Sequence, residues 1–510
     1  MGSEFMVEGH LYDVIIIGGG TAGCAAASRL TEDPGRKVLL LEAGPDPQPI
    51  PDMVLNGERQ TRLLLESPYV LMYETQRKLD GSSFYALSGR IMGGGSSINA
   101  MAAPRPTKYD LDKWSNLGNP GWTYEDVLPI LMRLETDADF SDSPIHGSDG
   151  PLYITRSFKL DMSASEPVEA FINASVASGL PLCPDINDGN PYGVCASPYN
   201  IKDGQRQSTA VAYLELARGR SNLEIVAEAS VVGLKIQGPR VEQVQYKKDG
   251  QTYNVGGDEV VLTAGVYHSP QILMLSGIGP AKELERLGIR VLHRLDGVGE
   301  NYQDHAVVSM TFESLTEFHP DWVVPRFRLM MKSDPELPCG NFHVFMRPPT
   351  EIKGMKPIMS LSAHLLEQRA RGRVYLSSDD PDDLPQIDSA MLEDPGDVEA
   401  MTWAMQFLSD LVQRDQLKGY YGSLILPRPN DDWGLYARST HDTYHHGVGT
   451  CMMGPVSNPM AVVDATLRVH GMDNLWIADA SIMPTITHAN TNLTAVMIGE
   501  RLSDFVKQAT

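Results

Sequence analysis

Three glycines and one carboxylate are spaced to hold a dinucleotide. Gly18, Gly20 and Gly23 form a G-x-G-x-x-G run, and Glu42 lies 19 residues past the last of them, close to the ~20 typical of a ribose-binding acid. Gly18 would permit a tight turn, Gly20 would let a pyrophosphate approach the backbone, and Gly23 would let a helix pack on a strand. The helix would present unpaired N–H groups and a positive dipole end to the phosphates. Glu42 would accept hydrogen bonds from the adenosine ribose. This pattern does not separate FAD from NAD and does not say which reaction follows.

Such a loop needs a strand before it and a helix after it. Residues 12–17 are an apolar run that reads as a buried strand, 24–30 an Ala-rich helix, and 37–41 a second strand. Together they predict a βαβ unit. A second glycine cluster at 89–99 reads as backbone packed against a flat ligand. Residues 223–262 predict a β meander in pieces 223–227, 231–237, 241–247, 252–255 and 259–262, with a turn at Asp249-Gly250. A helix follows at 269–275. Residues 373–377 read as a strand. Trp403, Phe407, Leu408 and Leu411 have helical spacing within 397–414. A strand from 475 runs into a loop by 480, and a helix over 493–506 closes the chain. The two chain ends therefore read as parts of one nucleotide-binding fold, with other material inserted between them.

At 510 residues the chain can form two or three domains with a large core. Its net charge of −23 argues against nucleic acid and is consistent with an acidic, solvating surface. The five cysteines show no C-x-x-C or metal spacing, and an odd number suits a reducing compartment. No metal site is expected. Residues 1–5, ahead of Met6, read as a cloning remnant. The apolar stretch 14–30 is interrupted by glycines, so it is not a membrane span. The expected location is cytoplasmic, with no membrane partner.

Several separated stretches together resemble the glucose–methanol–choline (GMC) family of FAD-dependent alcohol oxidoreductases, and within it the aryl-alcohol and hydroxymethylfurfural oxidases. They are the N-terminal fingerprint, 93–99 (GGGSSIN), 265–279, 297–301, Gln303-Asp304-His305, 446–450 (HGVGT) and 479–484 (DASIMP). The resemblance spans 14–506. It implies an α/β (α+β overall) architecture: a Rossmann-like FAD-binding domain from 6–150, 216–305 and 438–510, and a substrate domain on an antiparallel sheet from 151–215 and 306–437. It implies FAD contacts at Gly18, Gly20, Thr21, Ala22, Gly23, Glu42, Ala43, Arg90, Gly93, Gly94, Ser96, Asn99 and Ala100. Val231 would lie near the adenine, Asp479 and Ala480 near the ribityl–pyrophosphate portion, and Asn492 also at the cofactor. Some members link FAD covalently through a His. That position matches Ile98 here, so the FAD is expected to be non-covalent. Val266 stands where a small residue is more usual.

The resemblance also places the family's catalytic His at His446 and its His-or-Asn partner at Asn492. The chemistry accounts for these types. Alcohol oxidation removes a hydride from carbon and a proton from oxygen, and a base with a near-neutral pKa suits the proton. An amide cannot titrate there, but it can donate to the developing alkoxide. His445 reads either as a hydrogen-bonded wall residue or as a pocket residue. Phe342, His343 and Phe345 alternate along a strand, so one face could line the pocket, with core packing equally open. His268, His305 and His488 read as loop supports. The expected activity is oxidation of a primary alcohol, aromatic or furanic, to the aldehyde and onward through the hydrate to the acid, with O2 as acceptor. The alternatives are a quinone- or dye-linked dehydrogenase of choline, a polyol or an amino-sugar alcohol, and a non-redox lyase or photodecarboxylase on the same fold.

Overall fold

The computed structural model describes residues 5–56, 63–64, 66–77, 79–157, 160, 165–316, 327–350 and 356–509. The apolar runs read from the sequence become a parallel layer. Strand Phe5–Ile17 pairs in parallel with Val38–Leu41 on one side and with the end of Gln251–Leu262 on the other. Leu223–Val226 and Leu475–Ile477 extend the layer at its two edges, both parallel. Val38–Leu41 is buried along its whole length, as a parallel strand covered on both faces should be. Helices Thr21–Leu30 and Thr491–Ala509 pack so closely that a Cβ on Gly499 would lie 2.4 Å from the Ala22 carbonyl oxygen. The two ends of the chain do meet.

The meander is shorter than its sequence suggests. Only Ser230–Gln237, Arg240–Lys248 and Gln251–Leu262 form it. Leu223–Val226 leaves it to complete the parallel layer, where its apolar residues find a neighbour in Val38–Leu41. The pieces 252–255 and 259–262 are one strand, continuous through Gly256-Gly257. A Cβ on Gly257 would sit 2.8 Å from Ile15 Cγ1, so glycine there lets the two strands close up. The first strand is entered at Phe5, with an irregular register before Tyr12.

A second, eight-stranded sheet runs in the order Leu182–Cys183, Gly193–Ala196, Phe327–Met331, Phe342–Thr350, Ile358–Leu365, Ala306–Ser314, Tyr421–Leu426. The two-residue strand Asp442–Thr443 adds to the start of Ala306–Ser314. Alternation divides the two faces. Ala306, Val308, Met310 and Phe312 point into a core capped by helix Pro395–Leu411, through Met401, Ala404, Met405 and Leu408. Val307 and Ser309 point the other way, into a cavity. Phe342 is on the core face, with its ring 6.3 Å from that of Trp403. It is therefore not a pocket residue. No helix among the described residues is long and apolar enough to cross a membrane.

Candidate active site

One cavity of about 1130 Å³ runs from the first glycine loop to the free face of the eight-stranded sheet. Common small-molecule pockets hold roughly 300–1,000 Å³, so it has room for more than one small ligand. Gly18 adopts φ +107°, and a Cβ there would meet Thr263 O at 2.6 Å. A Cβ on Gly20 would meet nothing nearer than Thr263 O at 3.8 Å, so this backbone faces open space. Gly23 does not line the cavity. Its missing Cβ leaves room for the Gly18 carbonyl, which would lie 2.0 Å away.

The second glycine cluster docks on the first. Gly93 N–H donates to Gly19 O at 2.7 Å. The Ser96 hydroxyl donates to Gly93 O (2.6 Å) and accepts from Thr209 N–H (3.0 Å). Gly93 and Ser96 thus brace the loop instead of lining the cavity, whereas Arg90, Gly94, Asn99 and Ala100 do line it. Glu42 is buried. Its oxygens accept from Gly19 N–H (2.8 Å) and Gly44 N–H (2.7 Å), and burial pushes its carboxyl up to about 7. Each oxygen keeps a second lone pair. Glu42, Ala43 and Val231 line the same end. So do Thr21, Ala22, Asp479 and Ala480, although the Asp479 carboxylate is already held by Gly265 N–H, Ser269 Oγ and Ser481 N–H. Asn492, in the first turn of Thr491–Ala509, has a buried Nδ2 with no partner. A buried amide N–H normally finds an acceptor. The open backbone at Gly20 and the orphaned Asn492 amide both fit a bound dinucleotide.

At the other end, His446 is held from two sides. Its Nδ1 lies 2.9 Å from His305 Nδ1, and its Nε2 lies 3.1 Å from Asn490 Nδ2. The protons can be assigned from the network. His305 Nε2 is 3.0 Å from the carbonyl of Thr487, which can only accept. Burial pushes the His305 pKa down to about 3, so the ring is neutral and its Nδ1 is an acceptor. His446 Nδ1–H therefore donates to it, leaving a lone pair on His446 Nε2. The other side agrees. Arg328 Nη1 donates to Asn490 Oδ1 at 2.8 Å, which turns the Asn490 NH2 towards His446. Burial, then His305, His445, His364 and Arg328, hold the His446 pKa well below its usual value.

The residue at His446 is thus Asn490, not Asn492. The break in geometry between them explains this. Asn490 precedes the helix that Thr491 opens, and it projects towards His446. Asn492 is already within the first turn.

Backbone bonds fix His446 in place. Asp304 Oδ1 accepts from the N–H groups of His446 (2.9 Å) and His305 (2.7 Å). His445 adopts a left-handed φ of +59°, with its N–H donating to Thr443 Oγ1 at 2.7 Å. The two imidazoles are therefore separated by a bend instead of by extended alternation, and His445 is exposed along the cavity. His343 and Phe345 lie on the cavity side of the sheet, but neither lines the cavity. His343 Nδ1 is 3.4 Å from Arg328 Nη1. The Arg328 guanidinium sits 5.1 Å over the Phe345 ring. Val307, Ser309, Arg347, His364 and Tyr444 form the wall itself.

Arg328 is buried, and it bonds Ser197 Oγ and Asn490 with no carboxylate in ion-pair range among the described residues. Sequence reading missed it, although a charged residue in the otherwise apolar run Phe327–Met331 is a signal. It also missed Asn490, Tyr444, Arg347 and His364, and it gave His305 only a loop role.

The GMC oxidoreductase N-terminal family model matches residues 12–307, and the C-terminal model matches 368–499. The chain is 32% identical to a mitochondrial choline dehydrogenase of Homo sapiens, covering 99% of this chain and 91% of that protein. It is also 32% identical to a 5-(hydroxymethyl)furfural oxidase of Methylovorus sp. (strain MP688), covering 97% and 98%. Among solved structures, pyridoxine 4-oxidase from Mesorbium loti superposes with a TM-score of 0.89 at 31% identity, covering 97% of this chain and 98% of that one.

Proposed function

Because the chain belongs to the GMC oxidoreductase family, FAD-binding enzymes that act on CH–OH groups, we propose that it oxidises an aromatic or furanic primary alcohol to the aldehyde, and onward through the hydrate to the acid, with O2 as acceptor. The observation that carries this reading is the lone pair on His446 Nε2 at the cavity wall. Bound between the glycine loops and His446, a flavin would supply a hydride acceptor at N5. Gly20, Glu42, Val231 and Asn492 would hold it, and the aliphatic Ile98 supports non-covalent attachment. The bracing roles of Gly23, Gly93 and Ser96 support the same site indirectly. The strand layout supports assigning 6–150, 216–305 and 438–510 to cofactor binding, and 151–215 and 306–437 to the substrate.

When the alcohol binds, the Asn490 amide N–H turns from His446 Nε2 to the substrate oxygen, and the freed Nε2 takes the hydroxyl proton as the carbinol carbon loses its hydride. His446 is neutral across the physiological range, so no prior deprotonation limits it. The Asn490 amide donates to the alkoxide oxygen as charge develops there. Arg328 adds a permanent positive charge behind Asn490. The same charge favours superoxide formation when O2 is reduced, which supports oxidase chemistry.

The test is anaerobic reduction of the holoenzyme with benzylic, furanic, polyol and amino alcohols, followed by air. Fast bleaching by benzylic or furanic alcohols, then recovery within seconds with hydrogen peroxide formed, is expected. Recovery over many minutes, with turnover only on a quinone dye, makes it a dehydrogenase. Flavin that stays with the acid-precipitated protein rules out the non-covalent site.

A further inference from the structure

The alcohol end of the cavity holds a second guanidinium that the reaction does not use. Arg347 lies two residues past Phe345 on strand Phe342–Thr350, so it shares that strand's cavity side. It lines the cavity with Ser309 and His364 and is exposed to it. Among the described residues nothing pairs with its side chain. His364 has a buried Nδ1 without a partner. Its ring is 4.3 Å from that of Tyr444, which is 4.1 Å from that of His446. Two ring-to-ring steps thus link the base to strand Ile358–Leu365, which pairs with the strand that carries Arg347. Asp442, an acid that lines the cavity as do Asp382 and Asp383, accepts from Thr443 N–H and does not pair with Arg347. Arg347 and Arg328 thus bring two guanidiniums to this side of the sheet.

Resting on the alcohol-oxidising reading above, we propose that Arg347 determines specificity: the preferred alcohols carry a carboxylate across the ring from the CH2OH group, and Arg347 binds it. A guanidinium fork matches a carboxylate in two parallel hydrogen bonds. A quaternary ammonium alcohol such as choline would meet like charge instead.

The test compares kcat/KM of the holoenzyme for 4-(hydroxymethyl)benzoate, benzyl alcohol and choline, in the natural sequence and in Arg347→Gln and Arg347→Lys. The benzoate should be the best of the three. Arg347→Gln should lower the benzoate-to-benzyl-alcohol ratio at least ~10-fold, chiefly through KM, as expected for losing hydrogen bonds to a charged group. Benzyl alcohol itself should change less than ~3-fold. Arg347→Lys should recover part of the loss, since lysine keeps the charge but not the fork. A ratio unchanged in Arg347→Gln, or choline preferred by the unaltered enzyme, overturns the inference while leaving alcohol oxidation standing. Flavin untouched by every alcohol overturns the underlying reading as well.

Discussion

Two histidines in this molecule lie beside buried arginines, and their surroundings drive them in opposite directions. His146 Nδ1 is 2.8 Å from Glu135 and 3.2 Å from Asp137, and its Nε2 is 2.9 Å from Asp185. Arg105 pairs with Glu135, and Arg156 pairs with Asp137 and Asp185. Burial opposes the charged imidazole, but bonds to Asp137, Asp185 and Glu135 win and raise its pKa to about 10. Glu135, Asp137 and His146 are close enough together to suggest a metal site, yet their carboxylates already face guanidiniums. The His446 ring meets His305 and Asn490, with Arg328 behind Asn490, while the nearby Asp304 carboxylate bonds His446 only through its backbone N–H, and the ring's pKa is held well below the usual value. The balanced cluster fixes chain segments and has no charge to spare. The other keeps the proposed base neutral.

The sharpest way to break this contrast is to remove its two centres. His446→Ala should keep FAD bound and lower the flavin-reduction rate by about 10²–10⁴ in stopped flow, the usual range for a general base. An unchanged rate removes His446 from the chemistry. Asp137→Ala should act on stability instead, because it strips Arg156 and His146 of a buried partner. A loss of about 3–5 kcal/mol in denaturant unfolding is expected, with normal flavin reduction in the protein that remains folded.

The two asparagines sharpen the comparison at smaller scale. Asn490→Ala should slow flavin reduction by about 10²-fold with FAD content preserved, as for loss of one oxyanion donor. Asn492→Ala should lower FAD content more than it lowers the rate of the loaded enzyme. The reverse pattern would restore the assignment made from sequence.

The smallest effects are in pH, and their signs differ. The His146 pKa is raised on folding, so its contribution to stability is complete below about pH 6.5 and is lost as pH rises towards about 10. The His446 pKa is lowered, so the acid limb of flavin reduction should lie below pH 6.5. Arg328→Met removes one of the charges that lower it, and the limb should move to higher pH. A limb that stays in place assigns the control of His446 to burial and the neighbouring imidazoles, without Arg328.

The two ends of the cavity were not equally legible in the sequence. The nucleotide end is built from backbone, and backbone geometry is written locally: Gly18, Gly20, Gly23 and Glu42 fall within one βαβ unit. The substrate end is built from side chains on strands far apart in the chain. Arg328, His305, Asn490 and Thr487 become neighbours only through sheet pairing and the start of a late helix. Spacing alone could not tell Asn490 from Asn492, because the choice depends on where that helix begins. Likewise, 223–227 reads as one more meander strand until Val38–Leu41 offers it a parallel partner. Alternation narrowed Phe342, His343 and Phe345 to two faces but could not say which face met the core. Helix Pro395–Leu411, more than forty residues later, decides that.

The short pairing of Asp442–Thr443 with Ala306–Val307 has a mechanical consequence. His446 hangs three residues beyond that pairing, and its N–H is pinned to Asp304, which precedes the same strand by two residues. The backbone of His446, the proposed proton acceptor, is thus anchored to the sheet that forms the cavity wall, and not to the glycine loops. A ligand that flexes this wall moves base and wall as one body. The distance from base to alcohol is then preserved while the distance from both to the nucleotide end changes, so distortion of the sheet should be felt first in hydride transfer and only later in proton transfer.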